Sequence, residues 1–167
     1  MAVEEHRRTS PTSVRCAVIT ISDTRTQDTD TSGSAIVELL TQEGHTVIER
    51  GLVRDDPDQI RTALQEFLAR EEVQVVISTG GTGISGRDST FEVVDAMLEK
   101  RLDGFGELFR MLSYTDIGPA AMLSRACAGT ARGRLLVALP GSESAVRFAL
   151  RKLLLPELGH LVREVTR

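Results

Sequence analysis

Short apolar runs and longer amphipathic stretches alternate along the chain. Cys16-Ala17-Val18-Ile19-Thr20-Ile21 reads as a buried strand that ends at Ser22-Asp23. A polar loop over 23–32 leads into a helical face with Ile36, Leu39 and Leu40, closed by Gly44 as a C-terminal cap. Thr46-Val47-Ile48 with Leu52-Val53 reads as a second strand, and Ile60, Ala63, Leu64, Phe67 and Leu68 as one stripe of a helix. A third strand covers 73–78, followed by a glycine-rich loop and a helix with Val93, Val94, Met97 and Leu98. At Gly104 the alternation breaks: Asp103-Gly104-Phe105-Gly106-Glu107 reads as a turn, and Leu108, Met111 and Leu112 as the apolar side of another helix. Arg132-Gly133-Arg134 reads as a tight turn between two short strands, the second being Leu135–Leu139. A last helix carries Ala145, Val146, Ala149, Leu150, Leu153 and Leu154 and stops before Pro156. The pattern predicts an α/β fold, a three-layer sandwich with a mostly parallel central sheet flanked by helices. Ligands are expected at the carboxyl ends of its strands. Residues 14–167 form one domain, and the polar residues 1–13 are expected to be a flexible arm.

With 167 residues, 41% of them apolar, the chain can bury one proper core. Aromatics are 4%, Trp is absent and the net charge is −4, which argues against nucleic acid as a partner. Cys16 and Cys127 are far apart and read as small hydrophobes in a reducing compartment. His6, His45 and His160 are scattered, so no zinc-type cluster is expected. No run reaches membrane-spanning length and the first residues lack the apolar core of a signal peptide, so a cytoplasmic protein without a membrane partner is expected.

The candidate chemistry concentrates in residues 78–88, Ser-Thr-Gly-Gly-Thr-Gly-Ile-Ser-Gly-Arg-Asp. A strand that ends in such a loop exposes backbone N–H groups, because glycine permits turns and close approach that a Cβ would block. Thr79 and Thr82 add hydroxyls, and Asp88 adds a carboxylate at the far end. Gly81 to Gly86 also satisfies the dinucleotide fingerprint G-x-G-x-x-G. Its acidic partner at the end of the next strand is missing, and the loop follows the third strand rather than the first. A merely structural turn is the other alternative. It needs fewer glycines than Gly80, Gly81, Gly83 and Gly86 supply.

Acids precede two of the helices. Asp56-Pro57-Asp58-Gln59 is a helix start with Asp56 as N-cap, which leaves Asp55 without a capping role. Ser89 with Glu92 reads as a capping box, which leaves Asp88 spare in the same way. Two spare carboxylates after two strands fit a shared Mg²⁺ site, since Mg²⁺ takes few protein oxygens and bridges to phosphates. Asp30-Thr31-Ser32-Gly33 can cap a helix or bind an anion at its N-terminus. Pro140-Gly141-Ser142 opens the last helix at the same edge.

Taken in order, Ser22-Asp23-Thr24, Asp30-Thr31-Ser32-Gly33, Val53-Arg54-Asp55, Thr79-Gly80-Gly81-Thr82-Gly83, Arg87-Asp88, Gly104-Phe105-Gly106-Glu107 and Pro140-Gly141-Ser142 resemble the MoaB/MogA family of molybdenum-cofactor proteins. Phe109-Arg110-Met111-Leu112-Ser113 and Asp116-Ile117-Gly118 resemble its protein B branch. The resemblance implies transfer of AMP from Mg-ATP to the terminal phosphate of molybdopterin, with release of pyrophosphate, by a homo-oligomer (a trimer or hexamer). It implies Asp55 and Asp88 as the catalytic acids around Mg²⁺ and ATP. Thr79, Gly80, Gly81, Thr82 and Gly83 would line the pterin and phosphate pocket. Pro140, Gly141 and Ser142 would line the nucleotide end, and Ser22, Asp23, Ser32 and Gly33 are further substrate-binding positions. The chain departs from the adenylyltransferases of the family, which have Pro-Gly-Asn-Pro where it has Pro140-Gly141-Ser142-Glu143, and Pro where it has Phe91. A binding or carrier protein of the same fold is the second functional reading, and a dinucleotide-dependent oxidoreductase the third.

Overall fold

A computed structural model describes residues 2–167. The strands are β1 (Arg15–Ile21), β2 (Thr46–Val53), β3 (Val75–Thr79), β4 (Lys100–Arg101), β5 (Cys127–Ala131) and β6 (Arg134–Leu139). They form one sheet in the order β2-β1-β3-β6-β5-β4. β2, β1, β3 and β6 pair in parallel, whereas β5 and β4 add an antiparallel edge. The helices are α1 (Ala2–Arg8), α2 (Thr31–Gln42), α3 (Pro57–Ala69), α4 (Thr90–Met97), α5 (Asp103–Ile117), α6 (Glu143–Ala149) and α7 (Leu155–Val165).

Both faces of the sheet are covered, as its strand composition requires. Cys16 and Val18 of β1 join the apolar layer under α2, α6 and α7, while Ala17, Ile19 and Ile21 join the layer under α3 and α4. The period of two along the strand produces that division. The parallel register then sets where the loops emerge. Thr20 lies beside Thr79, Thr79 beside Leu139, and Ile21 beside Val53. The segments that begin at Ser22, Arg54, Gly80 and Pro140 therefore leave the sheet along one edge.

Local signals account for several boundaries. Asp56 accepts the N–H groups of Asp58 and Gln59 at 3.1 and 3.0 Å, with Pro57 in the first turn of α3. Arg132 and Gly133 both have positive φ, 51° and 72°, the backbone of a two-residue hairpin turn between β5 and β6.

Elsewhere the structure corrects the pattern. Asp103–Glu107 is the opening of α5 and not a turn, because Gly106 closes against the carbonyl of Ala126 where a side chain would collide. The buried stripe of α5 is Phe105, Phe109 and Ser113, spaced by four, while Leu108 and Met111 face outward. Pro156 does not end the last helix. A single π-turn over 150–154, in which the N–H of Leu155 reaches back to the carbonyl of Leu150, carries the chain past it into α7. Within the expected arm, Ala2–Arg8 forms α1, a helix without a buried residue. It lies against α7 through Arg7–Glu157 and His6–Glu164 pairs. His6 and His160, expected to be scattered, meet there with ring centroids 5.8 Å apart. Among the described residues no helix is long and apolar enough to cross a membrane.

Candidate active site

The glycine loop has two positions where any other residue would be strained. Gly80 has φ +102°, donates its N–H to the carbonyl of Leu139 at 3.0 Å, and lies so close to β1 that a Cβ would strike the carbonyl of Ile21. Gly81 has φ +70°, and a Cβ there would strike the Thr90 hydroxyl and come within 2.9 Å of Asp55 Oδ2. The N–H groups of Gly81, Thr82 and Gly83 find no acceptor among the described residues, which leaves three donors at the end of β3 for a bound anion. Gly86 differs: nothing lies within 4 Å of its Cβ position, so it does not provide the close packing that the last glycine of a dinucleotide fingerprint provides.

Asp55 is 7% exposed. Its Oδ1 accepts the N–H of Ser89 at 3.2 Å and the Ser89 hydroxyl at 2.8 Å, and neither bond uses Oδ2. Ser89 makes no side-chain cap of α4, contrary to what its spacing to Glu92 predicts; its hydroxyl is turned to donate to the carboxylate arriving from the β2 loop. The backbone N–H of Asp55 donates to Asp23 Oδ1 at 3.1 Å, and Arg87 donates to Asp23 Oδ2 at 2.6 and 2.9 Å. The Arg87 guanidinium holds the Asp23 carboxyl below the usual carboxylate range, with the Asp55 N–H adding to that effect. Asp88 uses Oδ2 to accept the N–H of Ser85 at 3.0 Å, and Oδ1 takes no part. Thr90 is fully buried beneath Gly81, and its hydroxyl has no hydrogen-bond partner. An orphaned buried hydroxyl is uncommon and needs an explanation.

Two clefts meet here. The smaller, about 270 Å³, is lined by Ser22, Asp23, Arg25, Asp55, Thr79, Gly80, Gly81, Arg87, Asp88 and Gly141 among others. The larger, about 490 Å³, is lined by Gly81, Thr82, Gly83, Asp88, Pro140, Gly141 and Ser142 together with Phe109, Ile117, Ala120 and Phe148. Gly81, Asp88 and Gly141 belong to both.

The sequence-derived positions thus converge with two exceptions. Ser32 and Gly33 line neither cleft. The Ser32 hydroxyl donates to the carbonyl of Gly141 at 2.6 Å, and the Gly33 N–H donates to Asp30 Oδ1 at 2.9 Å. Asp30 caps α2 and also accepts from Thr20 at 2.6 Å and Arg50 at 2.9 Å. Burial pushes its carboxyl up, but these donors outweigh that and keep it low. Ser32 thus ties the Gly141 loop to α2, while Gly33 belongs to the Asp30 cap. Thr79 also ties that loop, donating to the carbonyl of Pro140 at 2.7 Å.

Three residues escaped sequence reasoning. Ser89 and Thr90 were hidden behind the helix-start pattern. Arg125 gave no signal, being remote in sequence. Its guanidinium donates to the carbonyl of Gly83 at 3.0 Å through Nε, pairs with Glu92, and lies over the Phe91 ring at 4.9 Å. The Arg125 N–H also donates to the Thr82 carbonyl at 3.2 Å. Phe91 is thus the platform for the arginine that braces the glycine loop. Cys16 and Cys127 are free thiols whose pKa burial pushes up to about 12 and about 11.

Known proteins share this fold. Residues 17–160 match the family described as "Probable molybdopterin binding domain". The molybdenum cofactor biosynthesis protein B of Bacillus anthracis is 52% identical over 168 residues, spanning 100% of this chain and 99% of that one. A crystal structure of a molybdenum cofactor biosynthesis protein B superposes with a TM-score of 0.91 at 51% identity, covering 94% of this chain and 98% of that one. The tungsten cofactor synthesizing protein MoaB from Pyrococcus furiosus superposes with a TM-score of 0.85 at 35% identity, covering 95% and 100%. With a match across nearly its whole length and relatives half identical to it, the chain belongs to the molybdopterin-binding-domain family of molybdenum cofactor biosynthesis proteins.

Proposed function

We propose that this protein acts in molybdenum cofactor biosynthesis as a molybdopterin adenylyltransferase, moving AMP from Mg-ATP to the terminal phosphate of molybdopterin. A terminal phosphate oxygen forms a bond to the α-phosphorus of ATP, the bond from that phosphorus to the bridging oxygen breaks, and pyrophosphate leaves. The carrying observation is the junction of an acid-rich cleft with a larger apolar one at a loop that offers three unpaired N–H donors.

The donor set fits a magnesium ion. The small cleft is lined by three carboxylates (Asp23, Asp55, Asp88) against two guanidiniums (Arg25, Arg87), an excess of negative charge that would repel a polyphosphate without an added cation. Asp55 and Asp88 would hold the ion, each with one oxygen outside its hydrogen bonds. Mg²⁺ takes one or two carboxylates and completes its shell with water and phosphate. When bound it offsets the charge of two phosphates brought together. The protein's own contribution is positioning. Ser89 fixes the Asp55 carboxylate, and Arg125 fixes the loop whose amides face the phosphate oxygens. No side-chain nucleophile is needed.

Pyrophosphate release from Mg-ATP by the purified protein, with authentic molybdopterin, tests this reading. Mg-ATP binding without turnover would favour the carrier. Micromolar NAD binding without metal would favour the oxidoreductase.

We also propose a homo-oligomer, a trimer or hexamer. Leu108, Met111, Tyr114 and Ile117 of α5, with Met122 and Leu123 beyond it, place large apolar side chains on one exposed region, Met122 being 73% exposed. Exposed apolar side chains gathered on neighbouring elements are the material of a subunit interface. A single monomeric species in sedimentation at micromolar concentration would refute this.

A further inference from the structure

We propose that His6, His160 and Glu164 form a site for a divalent transition metal of the Zn²⁺ kind, which clips α1 onto α7. The site is separate from the phosphate chemistry and does not depend on it. His160 and Glu164 are four residues apart in α7 and so share one face of the helix. α1 brings His6 to them. His6 Nδ1 lies 3.6 Å from Glu164 Oε1, His160 Nε2 lies 3.9 Å from the same oxygen, and the three donor atoms all fall within 4.8 Å of one another. Metal–ligand bonds of about 2.0–2.1 Å in a tetrahedral site put neighbouring donors roughly 3.4 Å apart, so small side-chain rotations close the set.

A further contact prepares the site. Glu157 Oε2 lies 2.8 Å from His160 Nδ1, which directs Nε2 to the shared point. A carboxylate on the far nitrogen of a ligating histidine is the usual support for a metal-bound imidazole. Glu157 is in turn paired with Arg7 of α1. The competitors for Glu164 are Arg163 at 2.6 Å and Arg167 at 3.1 Å. Both are surface pairs, which hold a side chain only weakly, so they yield to a metal. Two imidazoles and one carboxylate select Zn²⁺ and its neighbours Ni²⁺ and Cu²⁺, whereas Mg²⁺ requires oxygen ligands. The consequence is local. No residue of α1 is buried, so its ion pairs and the His6–His160 ring contact dock it, and the metal converts that docking into a tether.

The test is calorimetric titration of the metal-free full-length protein with ZnCl₂, in excess Mg²⁺ to occupy Asp55 and Asp88. One tight equivalent is expected. His6→Ala is the decisive variant, since His6 belongs to a helix with no core contact and its loss leaves the fold intact. It should weaken that equivalent at least about tenfold, as should Glu157→Gln to a smaller degree. Zn²⁺ should also slow proteolysis within residues 2–8 of the wild type and not of the His6→Ala variant. Absence of a saturable equivalent, or one that survives His6→Ala at unchanged affinity, overturns the proposal.

Discussion

The two clefts that meet at Gly81, Asp88 and Gly141 are built in opposite ways. In the smaller one the charged groups are held by partners from other loops: Asp55 by Ser89, Asp23 by Arg87 and by the Asp55 backbone. In the larger one the walls are small or apolar side chains such as Ala120, Ala121, Ile117 and Phe148. Fixed charges act where charge develops in a reaction, and an apolar wall acts equally on the ground and transition states. The difference teaches that one cleft should govern turnover and the other affinity.

The largest effect should come from the smaller cleft. Asp55→Asn and Asp88→Asn should each lower kcat by at least about a hundredfold, near 3 kcal/mol of barrier. Asn keeps the acceptor used by Ser89 or Ser85, so melting temperatures should stay close to wild type. Pyrophosphate release paired with circular dichroism melts reads both, and full activity in the two variants would remove the charge argument. EDTA should abolish turnover in the wild type in the same assay.

The seam between the clefts comes next. Gly81→Ala must hold an L-residue at φ +70° and displace the Thr90 hydroxyl, so about 2 kcal/mol of stability should be lost. Urea midpoints measure it, and an unchanged midpoint would mean that the seam is loose. In the larger cleft, which Thr82 and Gly83 of the expected pterin pocket line, Ala120→Trp should raise the molybdopterin KM about tenfold, near 1.4 kcal/mol, with kcat within about twofold of wild type. Equal damage to kcat would show that the clefts do not act separately. Gly86→Ala should be the mildest, within about 0.5 kcal/mol by chemical unfolding, because its Cβ meets nothing. A larger loss would show that the outer end of the loop is also packed.

How much of this was legible in the chain depends on range. β1, β3 and β6 were legible because buried β-runs leave a continuous apolar stretch, and α3 because Asp56-Pro57 states its start locally, whereas the exposed two-residue β4 left no such signal. Asp55 stood out as an acid without a capping role. The same local logic misread Ser89, since a hydroxyl before a helix can serve its own backbone or a carboxylate from elsewhere, and only the fold brings Asp55 beside it. In α5 the glycines disguised a helix start whose constraint is the distant carbonyl of Ala126, and its outward Leu108 and Met111 imitated a core stripe. Arg125 and the His6–His160 pair are products of tertiary approach alone, and no spacing encodes them.

The π-turn at 150–154 bears on how this chain tolerates changes in length. Val146, Leu150, Leu154, Leu158 and Val162 are all buried, one at every fourth position. In an unbroken α-helix each such step overshoots a full turn by about 40°, and four steps would swing Val162 to the opposite side. One wide turn resets the phase, so both halves of the helical segment keep the same face on the sheet. The segment is in effect wound one residue long. Deleting a single residue from 150–154 should therefore leave Val146 and Val162 where they are, whereas the same deletion in α3 would rotate everything beyond it by about 100° and expose its stripe.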